Sequence, residues 1–120
     1  MLFPDYRARR MRQSEGLRRM IRETNLTVDD FILPLFVIGG KKVKNPIPSM
    51  PGHFQFSIDY LIPETQKAVE LGIPAIMLFG IPDKKDALGT QAYAKDGIVQ
   101  RAARKLKNAY PDLVVITDVC

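Results

Sequence analysis

The stretch that decides the fold is Leu113-Val114-Val115-Ile116-Thr117-Asp118-Val119, which Cys120 follows. Five of its seven residues are apolar, four are β-branched aliphatics, and the run comes directly after the turn residues Tyr110-Pro111-Asp112. A run with so little polar alternation predicts a strand that is buried on both faces, as in a parallel sheet. Chemistry in such sheets gathers beyond the carboxyl ends of the strands. We therefore expect the carboxylate of Asp118 and the thiol of Cys120 at that edge, on the same side because they are two residues apart.

Two earlier stretches also predict strands. Residues 31–38 form a nearly continuous apolar run that ends at a glycine pair, and residues 75–79 form a second run that ends at Gly80. Pro34 is unusual in the first run because proline has no N–H to give to a central strand. We therefore expect an irregularity at Pro34, or pairing on one side only.

Three helices are predicted between and before these strands. Ser14 is placed to cap a short helix that runs to residue 23, and Pro63 fits the first position of a second helix, which Gly72 ends. Asp96 is predicted to cap a third helix over residues 97–110. The apolar residues that recur at helical spacing are Leu61, Ala68 and Val69 in the second helix, and Val99, Ala102, Ala103, Leu106 and Ala109 in the third.

The connections are predicted to be turns and loops. Residues 45–52 contain three prolines and end in Pro51-Gly52, which is typical of an ordered, non-helical loop closed by a type II turn. The glycines and lysines of residues 39–42 have the composition of a phosphate loop, but the GxxxxGK[ST] pattern is absent and a plain turn is favoured. Residues 81–95 carry several aspartates without the spacing of a calcium loop, which favours a solvated loop.

Composition places the chain among single-domain globular proteins. Its 120 residues are 46% hydrophobic and 26% charged. No apolar run approaches the roughly 18 residues of a membrane-spanning helix, and the amino terminus lacks the features of a signal peptide. The single cysteine cannot form an internal disulfide, in agreement with a reducing compartment. These features predict a cytoplasmic protein.

The amino-terminal segment, residues 1–25, carries most of the net positive charge. It holds seven arginines against Asp5, Glu15 and Glu23, within a chain whose net charge is +5. Such a basic arm can bind nucleic acid, can be a solvated tail, or can wrap a partner subunit. The last two are favoured because no nucleic-acid-reading motif accompanies the charge. The short helix that Ser14 begins is too short to stand alone in water and must dock on something.

The order of the elements is βαβαβ, with right-handed crossovers. If the strands lie in sequential order, both helices cover one face of the sheet and leave an apolar face bare. The completion we expect is an α/β TIM (β/α)8 barrel. In that fold, residues 1–25 are an arm, and residues 26–120 are the first part of an incomplete barrel, with about three strands and two helices. A different strand order would instead give a small doubly wound sheet.

Several segments resemble one enzyme family, porphobilinogen synthase, also called 5-aminolevulinate dehydratase. The resemblance extends over nearly the whole chain. The matching segments are residues 9–12, 14–20 and 29–37, then Pro46-Ile47-Pro48-Ser49-Met50-Pro51-Gly52, Phe79-Gly80-Ile81-Pro82-Asp83 with Lys85, Asp86 and Gly89, Asp96-Gly97, and Thr117-Asp118-Val119-Cys120.

The resemblance implies a TIM barrel lyase that condenses two molecules of 5-aminolevulinate, with loss of two waters, to porphobilinogen for haem and related tetrapyrroles. It implies that the two Schiff-base lysines come from later strands outside this chain, so these 120 residues alone are expected to be inactive. It also implies an arm that embraces a neighbouring barrel in a homo-oligomer, commonly an octamer. Neither nucleic acid nor a membrane is expected as a partner.

Two residues can be carried over from the family. Cys120 matches the first of three cysteines that hold a catalytic zinc, with the other ligands beyond residue 120, and Asp118 matches the acidic residue beside that metal. Some members lack these cysteines and do not use this zinc, so Cys120 points to the zinc-using kind; magnesium is a further candidate as an allosteric ion. Without the family, a lone cysteine after a buried strand is more often inert packing. His53 is interpreted as incidental.

Two rival hypotheses stay open at this point. A nucleic-acid-binding module built on the basic arm would show binding with a steep salt dependence. A structural fragment would contribute an arm and part of a barrel to the assembly of another chain. We also expect the sequence after Cys120 to carry two further cysteines, the first at alternate spacing.

Overall fold

The described part of the chain, residues 4–118 of a computed structural model, contains one mixed sheet, three α-helices and two short 3₁₀ helices. The strands are β1 (Ile32–Ile38), β2 (Lys44–Pro46), β3 (Phe54–Phe56), β4 (Ala75–Ile81) and β5 (Val114–Thr117). The α-helices are α1 (Glu15–Met20), α2 (Ile58–Glu70) and α3 (Ile98–Ala109), and the 3₁₀ helices are Arg10–Arg12 and Val28–Asp30.

The three strands that the sequence predicts lie side by side and parallel. The sheet order is β2-β3-β1-β4-β5, with β1 parallel to β4 and β4 parallel to β5. Leu35 lies opposite Leu78, and Ile76 lies opposite Val115. The predicted sequential order of β1, β4 and β5 is therefore confirmed, and the doubly wound alternative is excluded for these strands.

Pro34 lies in β1 where that strand is paired on one side. β1 pairs with β4 along its whole length, including Pro34 opposite Met77. Its pairing with β3 is restricted to Phe36 and Val37. The missing N–H of Pro34 therefore falls where no second strand needs it, as predicted.

The loop predicted over residues 45–52 is partly wrong, because its flanks form an antiparallel hairpin of β2 and β3. The Nζ of Lys44 lies 4.2 Å from the centre of the Phe54 ring, a cation–π contact that holds the two short strands together. Each strand has only three residues, too few for a period-two pattern to be recognised. The turn itself is as expected, since Gly52 has a φ of +86°, which a type II turn requires.

Both longer helices pack on the same face of the sheet and form the core with it. A carbon substituent on Gly80 would lie 2.2 Å from Cγ2 of Val99, so α3 can lie directly on β4 only because residue 80 is glycine. The Tyr110 hydroxyl donates to the Ile62 carbonyl at 3.1 Å and joins the end of α3 to α2. The buried cluster consists of Leu35, Val37, Phe56, Leu61, Ile76, Leu78, Ala102, Leu106 and Leu113.

The start of α2 differs from the prediction. Pro63 is not at the first position but inside the helix, which begins five residues earlier behind the N-cap Ser57. Ser57 is fully buried, its N–H donates to the Val43 carbonyl at 3.0 Å, and its hydroxyl accepts from the Val43 N–H at 2.9 Å. These long-range bonds fix the helix start. The buried stripe is Leu61, Thr65 and Ala68, whereas Val69, predicted to be buried, is 37% exposed.

The ends of the other helices also differ from the prediction. α3 begins at Ile98 behind Gly97, and Asp96 does not cap it but forms an ion pair with Arg104 at 3.0 Å. Ser14 caps α1 as predicted, accepting from the Leu17 N–H at 3.2 Å, but the helix ends at Met20.

The face of the sheet opposite the helices is uncovered by the described residues. We call it the open face. Phe36 and Phe79 lie opposite each other on it and stack with ring centres 5.3 Å apart. At the other end Ile32 is 49% and Val114 is 52% exposed. The bare apolar face that the sequence predicts is therefore present. Its members are Ile32, Pro34, Phe36 and Ile38 of β1, Ala75, Met77, Phe79 and Ile81 of β4, and Val114 and Ile116 of β5.

The amino-terminal segment extends away from the sheet. The radius of gyration is 21.5 Å, against about 14 Å for a compact domain of this length. Met20 and Leu26 are 83% and 73% exposed. No helix within residues 4–118 combines the length and the apolar character that crossing a membrane requires.

Candidate active-site rim

The carboxyl ends of β1, β4 and β5 lie at one edge of the sheet, which we call the rim. Gly39 follows β1, Pro82 and Asp83 follow β4, and Asp118 follows β5. The three strands are parallel and adjacent, so these residues reach the same edge although they are far apart in sequence. The rim is the place where a parallel α/β sheet presents reactive groups.

Asp118 continues the ladder of β5 by one residue. Its N–H donates to the Leu78 carbonyl at 3.2 Å, following the Val114 N–H that donates to Pro74. The alternation of a strand puts Asp118 on the same face as Val114 and Ile116, which is the open face. Its side chain is exposed. Cys120, the other residue predicted for this site, lies outside the described residues.

A second carboxylate of the rim is packed against backbone. A carbon substituent on Gly39 would lie 2.6 Å from Oδ1 of Asp83. A larger residue at position 39 would therefore require the Asp83 side chain to move away from this backbone. Asp83 also lines a cavity of about 230 Å³ together with Lys84, Asp96 and Arg101. The cavity carries two acidic and two basic side chains, so its charges balance.

The long connection from β4 to α3, residues 82–97, is held to α3 by two side chains. Gln100 donates through Nε2 to the Ala92 carbonyl at 2.6 Å. Arg104 donates to the Lys95 carbonyl at 3.1 Å and to Oδ1 of Asp96 at 3.0 Å. This connection, which we call the rim loop, is therefore fastened at its carboxyl end although it has no strand or helix of its own.

Asp86 organises the middle of the rim loop. Its Oδ1 accepts from the Leu88 N–H at 3.1 Å and from the Thr90 N–H at 2.9 Å. Hydrogen bonds to Thr90, from the side chain first and then the backbone, lower the pKa of Asp86 below its ordinary value. This carboxylate is used to shape a turn around Gly89, whose φ is +63°.

The donor side chains of the described residues do not gather into a metal site. Within residues 4–118 no three His, Cys, Asp or Glu side chains come together in a way that could hold an ion. His53 lies directly before β3 and is exposed, and the oxygens of Asp86 are taken by the rim loop. Asp118 alone does not make a zinc site, because structural and catalytic zinc needs three or four protein ligands.

Sequence reasoning missed three features of this region. The contact of Asp83 with Gly39 and the attachment of the rim loop by Gln100 and Arg104 all join residues from different elements. Only Gly39 left a signal, since a glycine at the end of a strand marks a close approach of backbone. The side chains of Gln100 and Arg104 look like any exposed helix positions in sequence.

Comparison with known proteins gives one consistent result. The family model of delta-aminolevulinic acid dehydratase matches residues 5–120. The chain is 53% identical over 114 residues to the enzyme of that name from Halalkalibacterium halodurans, covering 95% of this chain and 35% of the relative. It is 50% identical over 119 residues to the one from Synechocystis, covering 99% and 36%.

A solved structure matches the fold. It is delta-aminolevulinic acid dehydratase (porphobilinogen synthase) from Toxoplasma gondii ME49 in complex with the reaction product porphobilinogen. The TM-score is 0.88 at 36% identity, over 95% of this chain and 33% of that one. The chain thus spans about a third of the length of these relatives, and its fold is a portion of their barrel. From residue 5 to residue 120, the chain belongs to the delta-aminolevulinic acid dehydratase family.

Proposed function

We propose that this chain supplies the first part of a porphobilinogen synthase, the lyase that joins two molecules of 5-aminolevulinate and releases two waters. The overall change is a double dehydration, so it needs no oxidant or reductant. The substrate and the reaction are those of the family, and the described residues supply a rim and part of a barrel wall. The Schiff-base lysines belong to strands outside this chain.

The observation that carries the proposal is the position of Asp118. It combines an exposed carboxylate, a ladder bond to β4 and a place on the open face at the carboxyl end of its strand. In barrels this is where residues act on substrate. A carboxylate there can accept or return a proton as the pyrrole forms, which is the role that the family resemblance implies for Asp118.

The inner wall has a role beside the carboxylate. The Phe36 and Phe79 pair lies on the open face near the rim. Apolar rings at the base of a site exclude water and strengthen the electrostatic action of a neighbouring carboxylate. We propose that this pair forms part of the apolar floor below Asp118.

We also propose that Cys120 gives one thiolate to a zinc ion, with the remaining ligands from residues beyond 120. Zinc bound by thiolates and open to substrate polarises an oxygen that it binds. We assign no ligands among the described residues to magnesium as an allosteric ion. A cytoplasmic location is part of the same proposal, and the single cysteine agrees with it.

The exposed amino-terminal segment supports a homo-oligomer, and we propose the octamer that is common in the family. The described part of this segment, together with the residues that connect it to β1, spans residues 4–31 and carries exposed apolar side chains that do not belong to the buried cluster of the described residues, among them Tyr6, Met20 and Leu26. Moving apolar groups of this size out of water lowers the free energy, so their burial is favourable. A second surface is needed to cover them. A neighbouring barrel is the surface that the family resemblance implies.

The central experiment compares two carboxylates at opposite ends of β5. In the protein at its natural length, Asp118→Asn should lower kcat for porphobilinogen formation by at least about 100-fold, the lower range for a general acid or base. Asp112→Asn, a matched control before the strand, should leave kcat within about twofold, as a surface change away from the site. Both variants should melt within a few degrees of the unchanged protein.

The result that would contradict the proposal is an Asp118→Asn protein with nearly full kcat. Equal losses in Asp118→Asn and Asp112→Asn would also contradict it, because the effect would then come from β5 as a whole. If Asp118→Asn lowers both the activity and the melting temperature, Asp118→Glu separates loss of the carboxylate from loss of stability. It keeps the carboxylate and should recover part of kcat.

A further inference from the structure

A broad groove lies on the outer side of the wall, between α2 and α3, away from the open face. Its volume is about 770 Å³. The first turns of α2 supply its apolar floor through Ile58 and Ile62, which are half-buried. One face of α3 and the turn after β1 supply its sides. A groove of this size is larger than a single inorganic ion requires and accommodates a small organic molecule.

The charge of this groove is strongly one-sided. Five of its side chains are basic and exposed, and the only acidic one is Asp59. The basic side chains are Lys41, Lys42, Arg101, Arg104 and Lys105. Like charges gathered around an apolar floor repel one another, and an anion bound among them removes that repulsion.

The single carboxylate of the groove is already engaged. Oδ2 of Asp59 accepts from the Lys42 N–H at 2.8 Å. The Ser57 hydroxyl first, and then this amide, lower the pKa of Asp59. Asp59 therefore fixes the turn after β1 and is directed at backbone. This bond also puts Lys42, whose φ is +54°, at the side of the groove.

Two of the basic residues connect the groove with the rim. Arg101 lines both the groove and the smaller cavity that contains Asp83. Arg104 lines the groove and holds the rim loop through Lys95 and Asp96. An anion in the groove therefore lies beside Arg104, which holds the rim loop, and beside Arg101, which also lines the smaller cavity at the rim.

We propose that the groove binds a small polyvalent anion, a short molecule whose body carries two or more phosphate or carboxylate groups. The guanidinium group of Arg101 binds such a group through two parallel hydrogen bonds, and Arg104, whose terminal nitrogens already donate to Lys95 and Asp96, adds positive charge. Lys41, Lys42 and Lys105 add charge, and Ile58 and Ile62 contact the body. The sequence of the turn after β1 lacks the phosphate-loop pattern, whose backbone N–H groups bind phosphate. This turn instead contributes to anion binding through its lysine side chains.

The test is calorimetric titration of the protein at its natural length with tripolyphosphate and, separately, with citrate. Saturable binding is expected for at least one, and the pair distinguishes phosphate from carboxylate as the preferred group. Arg101→Gln with Lys105→Gln should raise Kd by at least about tenfold, because two close charge contacts are lost. A second variant, Lys41→Gln with Lys42→Gln, alters another side of the groove and should act in the same direction.

The matched control removes the same charge elsewhere. Lys85→Gln with Lys95→Gln changes two exposed lysines that do not line the groove and should leave Kd within about twofold. The proposal is overturned if neither anion shows saturable binding with a Kd below about 10 mM. It is also overturned if the control weakens binding as much as the groove variants, because binding would then follow net charge alone.

Discussion

At the end of β5, an acidic residue and a cysteine are separated by one position in sequence. Their spacing predicts that both side chains reach the same side of the strand, and the described structure carries the ladder as far as Asp118. That much follows from the apolar run before them, because a buried parallel strand fixes which edge its last residues reach. The role of each side chain depends on groups from other parts of the fold.

Zinc binding by Cys120 is tested by one substitution in the protein at its natural length. Cys120→Ser should weaken zinc binding by more than about 100-fold, because a thiolate ligand is lost. Loss of a residue that only hydrogen-bonds to a metal ligand costs up to about 100-fold. Competition with a chelating dye measures the affinity, and cobalt substitution measures the thiolate absorption band. Asp112→Asn is the control. Unchanged zinc affinity and an unchanged cobalt spectrum would contradict the ligand proposal.

Asp86 gives the rim loop a dependence on pH. The pKa of Asp86 in the folded state lies below its ordinary value of 3.8. The ionised carboxylate therefore stabilises the fold above about pH 3.8. This stabilisation is lost as the pH falls through the pKa of the folded state. The melting temperature of the unchanged protein should therefore approach that of Asp86→Asn as pH is lowered from about 6 to about 3. Thr90→Ala should act like Asp86→Asn, because Thr90 makes the largest contribution to the shift. Curves that stay parallel over this range would refute the role of Asp86.

At the scale of elements, the types were predictable and several boundaries were not. The apolar runs and the helical spacing of Ala102 and Leu106 predicted the three central strands and α3. The start of α2 was not predictable, because it is set by bonds between Ser57 and Val43, fourteen residues apart. Local rules instead favour Pro63 as a helix start.

The short hairpin of β2 and β3 shows the same limit. Three-residue strands carry no period, and the prolines around them indicate a loop. Their pairing rests on the contact of Lys44 with Phe54 and on the edge that β1 offers at Phe36 and Val37. Neither contact is visible within the segment itself.

The amino-terminal segment makes a prediction of its own. Met20→Asp with Leu26→Asp, in the protein at its natural length, should lower the particle mass in light scattering by at least about half, because a charge cannot be buried in a subunit interface without a partner. Leu71→Asp with Leu88→Asp changes two equally exposed leucines outside the segment and is the control. An unchanged mass for the arm variant, or the same fall for the control, would contradict docking of the arm on a neighbour.

At the scale of the whole molecule, the bare apolar sheet face was predictable from strand order alone. Three parallel strands in sequential order with right-handed crossovers put both helices on one side. The groove between those helices was not predictable, because its basic residues are distributed over the turn after β1 and α3 and look like ordinary solvated charge. Surfaces that join separate segments appear only in the folded chain.

In the barrel that we propose, β5 is an interior strand and has a further parallel neighbour. The N–H groups of Val114 and Asp118 donate to the carbonyls of Pro74, directly before β4, and of Leu78 in β4. Strand alternation directs the N–H groups of Val115 and Thr117 to the other side.

Hydrogen exchange at residue resolution, on the protein at its natural length, tests this most directly. We predict that the Val115 and Thr117 amides exchange as slowly as the Val114 amide, because the next strand accepts hydrogen bonds from them. Fast exchange at Val115 and Thr117 beside slow exchange at Val114 would show that β5 is a free edge, and would contradict the barrel.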